Sequence, residues 1–141
     1  MDHVVYLDAK AKEMDKILSG NKKMIIRGAT GRKLPYGKVN SGDALYFINN
    51  NSEGLVKALA KVKIVFNSEK MLPEESKNLI ERNQEKLKLT DKQLDRWIGK
   101  RYLVLIEIEG VTEVHPFEID KSGYGNMDDW LIVEDIKKVK K

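Results

Sequence analysis

The chain has 141 residues, 41% hydrophobic and 34% charged, with a net charge of +4, which is enough apolar material for one core and too mixed in sign for disorder. It has no cysteine, so disulfides, thiolate catalysis and thiolate metal sites are excluded, and its two histidines, His3 and His115, show no metal-ligand spacing. No apolar run approaches the roughly 18 residues of a membrane span and Met1-Asp2-His3-Val4 lacks the pattern of a signal peptide, so a cytoplasmic protein of one domain over 1–141, without membrane contact, is expected.

His3-Val4-Val5-Tyr6-Leu7 reads as a first strand. Met14, Ile17 and Leu18 then recur at helical spacing and predict a helix over 9–19. Ser19-Gly20-Asn21 stops it, because Gly and Asn tolerate the left-handed backbone of a helix C-terminus. Met24-Ile25-Ile26 opens a buried strand over 23–28. The stretch from 28 to 37 is a loop by its Gly and Pro content. Its glycines could admit a phosphate to backbone N–H groups, but no Gly-Lys-Ser/Thr opens a helix there, so it is not a nucleoside-triphosphate loop.

Ser41-Gly42-Asp43 turns the chain into a strand over 44–48, and Asn49 to Gly54 is another turn. Residues 55–66 have a period of two. Val56, Ala58, Ala60, Val62, Ile64 and Phe66 form the expected core face, and Lys57, Lys61 and Lys63 a wet one. Pro73-Glu74-Glu75 starts a helix running to about Leu87. Thr90-Asp91-Lys92-Gln93 has the spacing of a capping box for a second helix over 91–98. This charged helical pair sits between strands, either as a lid or as a cover for one end of the sheet. Strands are expected at 101–109, at 114–119 with Pro116 at an edge or bulge, and at 130–133. The count is six or seven strands, one N-terminal helix and an inserted helical pair, an α+β domain on a mixed, curled sheet or small barrel.

Candidate chemistry concentrates near the helix–turn–strand junction at 17–28. Residues 20 to 40 hold six basic side chains and no acidic one, so an anion site is sought there first. Arg27 offers a planar fork for a phosphate or carboxylate; its structural alternative is an ion pair, for example with Asp43. Tyr46, Phe47, Tyr124 and Trp130 are the aromatics on which a base could stack, although Trp130, like Trp97, also reads as core packing. Asp128-Asp129 could hold a divalent ion but lacks a third ligand, and a solvated turn is the simpler reading. Ser41 and Thr30 have no base beside them. No metal or cofactor is implied.

The order of elements resembles the ASCH family of the PUA-like superfamily. Gly20, Lys22 and Arg27 match its Gly-x-Lys-x-x-Glu-x-Arg pattern, and Ser41-Gly42-Asp43-Ala44-Leu45-Tyr46-Phe47 is similar to its second block. The resemblance covers residues 1–66 best. It implies a PUA-like small β-barrel that binds RNA or a nucleotide, with Lys22 at the barrel mouth. Phosphate would then meet Lys22, Arg27, Arg32 and Lys33, and a base would meet Tyr46 or Tyr124. The block is also similar to that of the bacterial N4-acetylcytidine amidohydrolases, which implies as an alternative a hydrolase of acylated nucleosides or RNA, with Lys22 as base or oxyanion partner. Those enzymes carry a threonine where this chain has Ile25, which cannot act as a nucleophile or accept a proton. Their catalytic glutamate has only Glu74, Glu75 and Glu81 as candidates here. A protein-interaction role for the helices over 73–98 is the further alternative.

Overall fold

The computed structural model describes residues 1–125 and 129–141; Asn126 of the expected loop and Asp128 of the acidic pair lie outside them. Six strands, β1 (Asp2–Leu7), β2 (Met24–Ala29), β3 (Ala44–Asn49), β4 (Leu55–Asn67), β5 (Tyr102–Glu118) and β6 (Trp130–Glu134), form one sheet in the order β2-β5-β4-β3-β1-β6. β1 and β3 run parallel, while all other neighbours are antiparallel. The sheet curls into a half-barrel with β2 at one edge and β6 at the other. Helices α1 (Glu13–Leu18), α2 (Pro73–Leu87) and α3 (Asp91–Trp97) complete it. No helix among the described residues is long and apolar enough to cross a membrane.

Period two sorts β2 between two cores. Ile25 points into the inner core with Leu7, Ile17, Leu45, Phe47 and Trp130. Met24 and Ile26 point outward to Ile80, Leu87 and Trp97 of the α2–α3 pair. The helical pair is therefore packed against the outside of β2 and β5, and Trp97 is part of that packing. A third cluster, around Val4, Ile48 and Leu131, closes the far end.

Three expectations change. The expected strands at 101–109 and 114–119 are one 17-residue strand, β5. Gly110, at φ +60, falls in a shift of its register against β4, and Pro116 in another, so the punctuation bends the strand without ending it. A further shift between Val62 and Ile64 reverses the faces of β4. Ile64 and Phe66 are consequently exposed, and Val65 packs on the inner core instead. Finally, α1 starts at Glu13, not at residue 9. Ahead of it the Asp8 carboxylate accepts the Ala11 N–H at 3.1 Å and the Glu13 carboxylate accepts the Asp8 N–H at 2.7 Å, bonds that hold a turn and compete with helix.

Asp43 does not pair with Arg27. Its carboxylate accepts from His3 Nε2 at 2.8 Å and from the Asn40 N–H at 2.9 Å, and it lies 3.5 Å from the N-terminal amine. The Trp130 indole N–H donates to His3 Nδ1 at 3.0 Å, which places the ring proton on Nε2. Burial raises the Asp43 carboxyl pKa, but the Asn40 N–H and His3 outweigh it and the net direction is down from 3.8. A carboxyl more acidic folded than unfolded contributes stability that is complete above the ordinary Asp value and is lost as pH falls from there through the lower folded value. Urea midpoints of the wild type should therefore drop below about pH 4. The same curve for Asp43→Asn should start lower and be flatter there; parallel curves would show that Asp43 is not the group responsible.

Candidate functional site

The junction between α1 and β2 joins the barrel to the helical pair. An α-helix leaves its last carbonyls without intrahelical partners, and those of α2 are met from this junction. The Lys23 N–H donates to Lys86 O at 2.8 Å, the Lys22 ammonium to Leu87 O, and the Lys16 ammonium to Lys88 O at 3.2 Å. Cations at a helix C-terminus also suit its dipole. Lys22 is 1% exposed and is neutralised by Glu13, whose Oε2 lies 3.3 Å away. Burial pushes its pKa below 10.5, with Glu13 opposing.

Arg27 closes the open side of the half-barrel. Its guanidinium donates to Ile26 O at 2.8 Å and to Tyr6 O of β1 at 2.6 Å, so it straps edge strand β2 to β1. Its Nε lies 3.1 Å from Asp129 Oδ2, yet is not aligned for a hydrogen bond and is buried without one among the described residues. Arg27 is 7% exposed.

Above this strap lies a polar cleft. Tyr6 and Asp8 come from the end of β1, Glu13 from α1, Ile26 and Arg27 from β2, and Asn50 from the turn after β3. Gln93, Arg96 and Trp97 of α3 form the outer wall, with Asp129 at the rim. The depression is small, about 60 Å³. Arg96 lies over the Trp97 ring at 4.7 Å. Gln93 is fixed as a cap of α3: its carbonyl accepts the Thr90 N–H at 3.0 Å.

No family model matches the sequence, and no curated protein matches it. Among solved structures it is similar to the ASCH protein of Zymomonas mobilis, at a TM-score of 0.70 and 14% identity over 97% of this chain and 91% of that one. Two mutants of that protein give TM-scores of 0.70 and 0.69 at 14% and 16% identity, over 97% of this chain and 94% and 92% of theirs. The chain has the ASCH fold. The expected α+β architecture, a curled mixed sheet with its helical pair inserted between β4 and β5, is the one observed.

Within this ASCH fold the residues singled out by sequence are dispersed. Lys22 lies beneath the cleft and is absent from its lining, whereas Arg27 lines it. Arg32 is exposed and stacks over Tyr36 and Tyr102, both at 5.6 Å, and Lys33 is exposed beside it in the loop. Tyr46 packs in the third cluster, edge-on to Phe117, and Tyr124 packs in that cluster too. Burial, with Asp2 and Asp135, raises the Tyr46 hydroxyl pKa above 10.0. Glu74, Glu75 and Glu81 lie on the exposed side of α2, and Glu75 accepts the Leu72 N–H. Among the described residues no acidic or histidine cluster could hold a metal. Asn50, Gln93 and Arg96 carry no signal of a binding role in the sequence. A capping glutamine and a surface arginine look ordinary until α3 is known to face the barrel mouth. A second, basic groove of about 460 Å³ runs between Gly20, Asn21 and Lys23 on one side and Arg82 and Lys86 of α2, with Lys88 just after it, on the other.

Proposed function

We propose that this protein binds RNA or a nucleotide, with one base in the cleft and the phosphates on the basic surface outside it. The observation that carries the reading is the wall of α3. An exposed Arg96 guanidinium backed by the Trp97 ring offers an unpaired base a flat cationic surface to stack on. Asn50, Gln93 and Asp8 add amide and carboxylate groups around it, the kind that read a base edge. Lys23, Arg82 and Lys88, joined by Arg32 and Lys33, supply sequence-independent attraction for a phosphate chain. The ASCH fold, shared with the Zymomonas mobilis protein, is compatible with this use.

Hydrolysis has less to draw on. The Ile25 side chain is wholly buried in the inner core. Both carboxylate oxygens of Glu13 are engaged, one by the Asp8 N–H and one by Lys22. The apolar face of the α2–α3 pair is spent on the sheet, which leaves little of it for a protein partner.

Titration of a short single-stranded RNA, followed by tryptophan fluorescence, tests the proposal. Arg96 is exposed, so Arg96→Ala should fold normally and weaken binding by about tenfold, the scale of one stacking contact. Unchanged affinity in that variant would remove the cleft as the binding site.

A further inference from the structure

The charges of the cleft balance. Asp8, Glu13 and Asp129 face Arg27 and Arg96, and Lys22 lies beneath Glu13. Glu13 is matched by Lys22 and Asp129 by Arg27, and Asp8 and Arg96 both line the cleft without an ion pair among the described residues. Of the two arginines that line the cleft, Arg27 is the buried one, and its Nε is a donor without a hydrogen bond among the described residues. An incoming phosphate or carboxylate would seek that donor. Asp129 already stands there at 3.1 Å, in ion-pair range but out of alignment. Its main chain is fixed, since Asp129 O accepts the Tyr6 N–H at 3.0 Å, while its side chain is 47% exposed. Asp129 therefore has the position of an anionic ligand without the bond of one.

We propose that Asp129 is a specificity-determining residue: it holds the anion position at Arg27 and so tunes the cleft to a neutral nucleoside moiety over a terminal phosphate. This rests on the reading that the cleft takes a nucleotide unit. An anionic ligand must displace the Asp129 carboxylate and suffer its repulsion, whereas a neutral ribonucleoside leaves the Arg27–Asp129 pair intact. Selectivity built by occupying a cation in this way is selection against the wrong ligand.

Calorimetric titration of a free nucleoside and its 5′-monophosphate into the wild type, Asp129→Asn and Asp129→Glu tests this. The wild type should bind the nucleoside at least as well as the monophosphate, with little dependence on salt. Asp129→Asn removes the charge and keeps the shape. It should bind the monophosphate about tenfold more tightly than the wild type does, and lose that gain at high salt. The ratio of its monophosphate affinity to its nucleoside affinity should rise, and Asp129→Glu should resemble the wild type. Thermal melting with inorganic phosphate gives a second readout: phosphate should raise the melting temperature of Asp129→Asn more than that of the wild type. Nucleoside binding with no gain for the monophosphate in Asp129→Asn would overturn the role of Asp129 and leave the cleft reading standing. Absence of binding by either ligand to any of the three proteins would overturn both.

Discussion

Replacing Lys22 by methionine should lower the stability of the fold by about 3–5 kcal/mol, the cost of breaking a buried ion pair from one side. The substitution leaves Glu13, itself 5% exposed, as a buried carboxylate without its cation. It also leaves Leu87 O at the end of α2 without the ammonium that donates to it. Chemical denaturation measures the loss. The double variant Glu13→Gln/Lys22→Met should recover part of it, because no unpaired charge then remains. A Lys22→Met protein as stable as the wild type but unable to bind RNA would make Lys22 a ligand contact, against the geometry of its two partners.

Arg27→Met should be the second most damaging change, at roughly 2–3 kcal/mol, with Tyr6 O and Ile26 O losing their donor. Its particular mark is local. Arg27 ties edge strand β2 to β1 across the open side of the half-barrel, so hydrogen exchange in β2 should accelerate more than in β3 or β4. Arg27→Lys should rescue little, since one ammonium cannot reproduce a fork that reaches two carbonyls and a carboxylate. Uniform acceleration across the sheet would mean that Arg27 is ordinary packing and no strap.

Local chemistry made much of this fold legible. Pro73 and its acidic first turn placed α2, the Thr90–Gln93 capping box placed α3, the β-branched runs placed β1 and β2, and the Ser41-Gly42-Asp43 turn placed β3. What escaped the sequence depends on pairing partners far along the chain. The face of β4 reverses because its register against β5 shifts between Val62 and Ile64, and nothing in residues 55–66 announces a shift that lives in the pairing. Gly110 and Pro116 look like strand ends because each breaks regular geometry, but the long β4 partner carries the chain past both. At the site, a lysine and an arginine five residues apart looked like one anion hole. Period two instead sends them to different tasks: Arg27 shares the inward face with Ile25, and Lys22, still in the turn, reaches back to α2. The cleft wall comes from α3, some 70 residues after Lys22 in the sequence, and only the packing of Trp97 on Ile26 and Leu103 brings Gln93 and Arg96 to the barrel mouth.

The most direct test of the central claim is an amide chemical-shift map recorded while a nucleoside is added to the wild-type protein. Shifts are expected at Asn50, Gln93, Arg96 and Trp97, with the Tyr46, Phe117 and Tyr124 cluster unmoved. Shifts centred on that aromatic cluster, with α3 silent, would contradict it and move the binding site to the other end of the sheet.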